Sequence, residues 1–179
     1  MKHPKILSIS GEGRNVGKTM LACSIIAKFS RTYDITGLKI TPHHHTDTGE
    51  AKIIMEKNNF ILLEETDFRS PKDTGRMLAA GAIRSFLLQI RDEDWTEPLN
   101  SFFTFLNQDA LIVCESGKLT SSKWSGVNLF VRQLNCQVCS IDKKIPDWKY
   151  IDRLVNYTLN GFDLNLNDIS IQKGVWKIK

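Results

Sequence analysis

One stretch constrains this chain more than any other. Lys5-Ile6-Leu7-Ser8-Ile9-Ser10 is followed by Gly11-Glu12-Gly13-Arg14-Asn15-Val16-Gly17-Lys18-Thr19, and then by an apolar-periodic run over residues 20–29. A short hydrophobic strand, a glycine-rich turn and a helix opening on Gly-Lys-Thr bring backbone N–H groups and the positive end of a helix dipole to one point. That arrangement is suited to a phosphate group. The pattern predicts a phosphate loop in which Gly11, Gly13, Arg14, Asn15, Val16, Gly17, Lys18, Thr19 and Met20 contact a nucleotide. Lys18 is expected to act as the catalytic cation on the β/γ-phosphates, and the Thr19 hydroxyl to ligate Mg²⁺.

The spacing departs from the usual G-x-x-x-x-G-K-[ST]. Counting back from Gly17, that pattern wants glycine at position 12, where the chain has Glu12, so the first glycine falls one residue early at Gly11. A loop longer by one residue still wraps a phosphate if Gly13 supplies flexible backbone. The alternative is a strand-turn-helix junction whose glycines only make the turn tight.

A chain of 179 residues, 41% hydrophobic and 25% charged, suits a single domain over residues 1–179 with its own core. The formal charge of +4 comes from lysines and arginines scattered without a block of five. It gives no support to a nucleic-acid partner and suits an anionic small ligand. The N-terminal apolar run is too short for a signal peptide and no later stretch is long enough to span a membrane, so a cytoplasmic protein without membrane contact is expected. Cys23, Cys114, Cys136 and Cys139 are then expected as thiols. Cys136 and Cys139 have C-x-x-C spacing, and core cysteines in an apolar strand are set against an incomplete zinc site.

Along the chain, Leu21, Ile25, Ile26 and Phe29 share a helical face, and residues 35–41 read as a strand running into Pro42. His43, His44 and His45 follow, with Asp47 and Glu50 as further oxygen donors. Residues 51–57 read as a short helix or an irregular excursion and residues 60–65 as a strand. A helix is predicted from Pro71 to Ala80, stopping at Gly81, then a strand over 83–90 and a helix over 95–106. Residues 109–114 form a continuous apolar run ending in Glu115-Ser116-Gly117-Lys118, as expected of a buried parallel strand. Strands over 127–131 and 137–141, a last amphipathic helix over 147–159 and a polar tail from 160 complete the reading. Strands alternating with helices and no tandem hairpin signals predict a three-layer α/β phosphate-loop NTPase fold with a mostly parallel sheet.

Ligands in such sheets bind at the carboxyl ends of the strands. Glu115 ends its strand there, so it is expected to orient Mg²⁺ beside Thr19 and to act catalytically. Lys39 is assigned to the cleft because a lysine buried without a partner would be costly, and a catalytic role for it is what the second resemblance named below implies. His43, His44 and His45 are expected either to contact a metal or a second, anionic substrate, or to lie in a solvated loop.

These motifs together resemble a known family. The phosphate loop, Gly37-Leu38-Lys39 running into His43-His44-His45, Lys72-Asp73-Thr74-Gly75-Arg76 ahead of Ala80-Gly81-Ala82, and Ala110 through Lys118 look like the B protein of molybdopterin-guanine dinucleotide biosynthesis. The resemblance covers residues 5 to about 160. It implies GTP as the nucleotide, weak GTP hydrolysis, a homodimer and an accessory role in attaching a nucleotide to the molybdenum cofactor, with a pterin phosphate as second ligand. Gly11-x₅-Gly17-Lys18-Thr19 and Gly37-Leu38-Lys39 also resemble dethiobiotin synthetase, which implies ATP and a lysine assisting a carbamate substrate. GTP and ATP both stay open, since the guanine-reading Asn-Lys-x-Asp is absent.

Overall fold

Apolar segments that must hide both faces set the architecture. In the computed structural model, which describes residues 3–42, 51–106, 109–117, 119, 125–134 and 147–179, they lie side by side in one sheet. β5 (Arg84–Ile90), β2 (Ile35–Thr41), β6 (Leu111–Ser116), β1 (His3–Gly11), β7 (Ser125–Gln133) and β8 (Arg153–Thr158) run parallel in that order. Every residue of β6 is buried, as a strand covered on both faces requires. β3 (Lys52–Lys57) and β4 (Phe60–Glu65) extend one edge antiparallel, and β9 (Gly161–Phe162) the other, giving a mixed sheet of nine strands among the described residues.

Three α-helices among the described residues cover the sheet. Leu21, Ile25 and Ile26 of α1 (Lys18–Phe29) and Met77 of α2 (Asp73–Ala79) pack with Leu7, Ile9, Val113 and Val131. Leu99 and Phe102 of α3 (Thr96–Phe105) pack with Ile6, Leu38, Ile112 and Cys114. Neighbouring residues of one strand, such as Ile6 and Leu7, thus feed opposite clusters, and the helices stand in layers on both faces. No helix among the described residues is long and apolar enough to cross a membrane.

The connection from β1 through α1 passes over β6 to reach β2, while β7 lies on the other side of β1. The strand order therefore reverses beside β1, and a crevice opens at the carboxyl ends of β1 and β6.

Several segments depart from the sequence reading. Residues 51–57 are not a helix: they form β3, joined to β4 by Asn58-Asn59 as a hairpin, with Lys57 opposite Phe60. Residues 147–159 are not a helix either, but a one-turn 3-10 segment (Trp148–Tyr150) followed by β8. Ile151, Leu154 and Val155 have helical spacing, yet the parallel pairing of Val155 with Val131 and its complete burial decide for strand. The polar tail contains a second hairpin, β10 (Ile169–Gln172) and β11 (Val175–Ile178), turning through Lys173 at φ 52° and Gly174 at φ 71°. Both positive angles belong to a tight turn of the kind that matches strand twist. Trp176 from this hairpin is 2% exposed and meets Phe29 edge-on, ring centroids 5.1 Å apart. The expected strand over 137–141, Cys136, Cys139 and the histidines at 43–45 lie outside the described residues. Of the other cysteines, Cys114 is buried in β6, where burial pushes its thiol pKa up, and Cys23 is half-buried in α1.

Candidate functional site

The loop between β1 and α1 takes its shape from its neighbours on the β7 side. A Cβ at Gly11 would lie 2.6 Å from the Val131 carbonyl oxygen, so no side chain fits there. The Glu12 N–H donates to that same oxygen at 3.1 Å. Asn15 has φ 59° and Gly17 φ 93°, two left-handed positions flanking Val16, whose side chain is buried in the core. Such a turn directs backbone N–H groups toward a common point. Gly17 is the residue the fold demands, because an added Cβ would sit 3.1 Å from the Phe162 ring and 3.2 Å from that of Tyr157.

Lys18 and Thr19 open α1, whose first backbone bond runs from the Leu21 N–H to the Gly17 carbonyl at 2.9 Å. The Lys18 ammonium folds back to donate to the Gly13 carbonyl. Burial lowers its pKa below the ordinary lysine value, opposed by the negative charge of Glu115 and assisted by the positive charge of Lys39.

Thr19 points into a cluster of charges gathered from three further elements. Its hydroxyl lies 2.7 Å from Glu115 Oε2 at the end of β6 and 3.0 Å from Asp73 Oδ1 at the start of α2. The hydroxyl has one proton, so it donates to one carboxylate at a time. Lys39 on β2 is the register partner of Glu115, and its ammonium pairs with Glu115 and with Asp73 Oδ2, the latter at 2.9 Å. Burial works against the Lys39 charge, but the two carboxylates outweigh it and raise its pKa. Burial likewise opposes the Asp73 charge, and Lys39 with the Thr19 hydrogen bond outweighs it, holding the Asp73 carboxyl below its usual pKa. Arg76, one turn along α2, stands 3.8 Å from Asp73.

These groups line one cavity of about 520 Å³. Arg14, Asn15, Gly17, Lys18, Thr19 and Met20 of the predicted loop residues reach it, as do Glu115 and Lys39. Gly11, Gly13 and Val16 are absent from its lining: Gly11 is set against β7, Val16 is in the core, and Gly13 offers its carbonyl to Lys18. Asp73, Arg76 and Tyr157 join the cavity without having been assigned to a site from sequence. The signal for Asp73 was present, an acidic residue at the first turn of a helix that starts after Pro71; Tyr157 was hidden by the helical reading of its segment.

Thr19, Glu115 and Asp73 supply hard oxygen donors around one point, which fits Mg²⁺ in chemical character. Among the described residues no group of three or more His, Cys, Asp or Glu gathers, so an ion here would depend on two carboxylates, a hydroxyl and oxygens from a ligand. That is how Mg²⁺ is commonly held alongside phosphates.

Fold and site together define an α/β protein with a mostly parallel mixed sheet and a charged cavity at the carboxyl ends of its strands. Compared with protein families, with curated proteins and with solved structures, the chain finds no match.

Proposed function

We propose that this protein binds a Mg²⁺-nucleoside triphosphate, with residues 11–19 as its phosphate loop. Lys18 neutralises the β/γ-phosphates, and Thr19, Glu115 and Asp73 hold the metal. The observation that carries the reading is the convergence of the Thr19 hydroxyl with Glu115 at 2.7 Å and Asp73 at 3.0 Å, from three separate elements, at the mouth of a glycine-rich loop. A tight turn alone would not require a threonine hydroxyl and two carboxylates to meet behind it. The bound Mg²⁺ would supply charge neutralisation on the phosphates. This chain's own part is to position them through the loop, Lys18 and Thr19.

The motif resemblance extends this to a GTP-binding accessory protein in molybdopterin guanine dinucleotide formation, with slow hydrolysis. A second reading, an ATP-dependent synthetase of the dethiobiotin type, is favoured by one observation: Lys39 reaches the same cavity as Lys18. Titration of the protein with GTP and with ATP, each with Mg²⁺, tests the proposal. Binding of neither would overturn it, and preference for GTP over ATP would separate the first reading from the second.

A further inference from the structure

The cavity is long for a phosphate group alone. Its lining runs from Lys39 on β2 to Tyr157 on β8, and the strand order β2-β6-β1-β7-β8 puts four interstrand steps between them. At the usual spacing the two strand axes are roughly 19 Å apart, and the side chains of both reach the one cavity. The charges lie at one side of this span, where Lys39, Asp73, Arg76 and Glu115 meet Thr19. At the β8 end of the span the lining residue is Tyr157, with Arg14, Asn15 and Lys18 of the loop also on the cavity.

Tyr157 stands at the level of the loop. Gly11 pairs with Val131 and Val131 with Val155, so Tyr157 is two positions past the end of β1, on the face of the sheet that carries α1. Phe162, its register partner on β9, lies against it with ring centroids 4.9 Å apart and planes 35° apart. Tyr157 lines the cavity, and Phe162 packs against the Tyr157 ring beside it. Gly17 lets both rings approach, with 3.1 to 3.2 Å between them and the place its Cβ would take. The ring is thereby held at a fixed distance from the loop.

Resting on the phosphate-loop reading above, we infer that Tyr157, backed by Phe162, is the surface on which the nucleobase stacks. A tyrosine ring packed on a second ring and lining the cavity beside the loop offers an apolar surface to the uncharged end of a nucleotide. Stacking accepts any base, because every base has a π-face. This wall therefore serves adenine and guanine alike, and selection between them falls to other residues.

The test compares Mg²⁺-ATP, Mg²⁺-GTP and Mg²⁺-tripolyphosphate, which lacks a base, on the wild type, Tyr157→Leu and Tyr157→Phe. Leucine keeps apolar bulk over Gly17 and removes the π-face. Wild type should bind both nucleotides more tightly than tripolyphosphate. Tyr157→Leu should weaken both nucleotides roughly tenfold and leave tripolyphosphate unchanged, while Tyr157→Phe retains all three. Equal weakening of all three by Tyr157→Leu would make Tyr157 a support of the loop, and unchanged nucleotide affinity would make it a bystander; either overturns the stacking role while the phosphate loop stands. A wild type that binds none of the three removes both readings. Should Tyr157→Leu not fold, photolabelling the wild type with 8-azido-ATP decides: label on the peptide carrying Tyr157 supports the inference, and label confined to other peptides overturns it.

Discussion

Lys39 and Glu115 are register partners on neighbouring parallel strands, and their side chains close an ion pair beside the Thr19 hydroxyl, with Glu115 only 2% exposed. The ammonium neutralises a carboxylate that burial would otherwise penalise. A divalent ion entering this corner has to share Glu115 and Asp73 with Lys39 or displace it.

Removing one member of the pair leaves the other's charge uncompensated, so the two losses should not add. Lys39→Met and Glu115→Gln are each expected to destabilise by about 1–3 kcal/mol, below the range for fully buried pairs because Asp73 remains and Lys39 is 20% exposed. The double variant should lose less than the sum. Urea unfolding of the four proteins measures the coupling, and additivity within about 0.5 kcal/mol would show that the pair contributes nothing of its own.

Lys18→Ala should abolish Mg²⁺-nucleotide binding and leave the melting temperature close to that of the parent. Among the described residues the ammonium donates to a loop carbonyl, and on the proposed reading a charge-assisted bond to phosphate is what its loss removes. Calorimetric titration of a folded Lys18→Ala that retained parental affinity would rule out a phosphate role for this loop.

The pH dependence of binding and of stability should separate. Lys18, depressed by burial below 10.5, loses its charge earlier than an ordinary lysine as pH rises, so nucleotide affinity should fall on the alkaline side before pH 10.5. Lys39 is raised above 10.5, so its contribution to stability is fully present below that value and is lost only above it. Asp73 is depressed below 3.8, so its contribution is present above that value and is lost only as pH falls further. Melting temperatures measured on the same samples should show no loss from this clamp across the range in which affinity declines. A parallel decline would place the effect on folding.

Gly17→Ala should destabilise by about 1–3 kcal/mol, since it combines a left-handed backbone at φ 93° with a Cβ pressed against Phe162 and Tyr157. Gly13→Ala should be nearly silent in stability, because nothing lies within 4 Å of its would-be Cβ. Denaturant midpoints for the two variants check the contrast, and equal losses would contradict the packing described here.

What could be read from sequence follows what local pattern can encode. The β1-loop-α1 unit and the acidic end of β6 were legible because each is a continuous segment whose apolar run and terminal residues carry the signal. β8 was not, because Ile151, Leu154 and Val155 satisfy helical spacing and only the pairing of Leu154 and Val155 with β7 decides between the two. β3 was missed for a similar reason: its exposed edge residues Lys52, Ile53, Glu56 and Lys57 lack the burial pattern that marks an inner strand. Trp176 looked like an isolated apolar residue in a polar tail, and the Lys173-Gly174 turn that folds it back was the available clue. In the site, Asp73 and Tyr157 are 54 and 138 positions from Thr19, so only the sheet order brings them to its side.

The rings of Tyr157 and Phe162 against Gly17, and Trp176 against Phe29, tie the first helix to β8, β9 and β11. During synthesis the glycine-rich loop leaves the ribosome long before the strand and hairpin that brace it. At roughly 5–20 residues per second, the delay amounts to many seconds in which the N-terminal half exists without its C-terminal wall. Nascent chains halted before position 157 should thus carry the whole Gly-Lys-Thr signature and still lack the Tyr157 wall of the cavity.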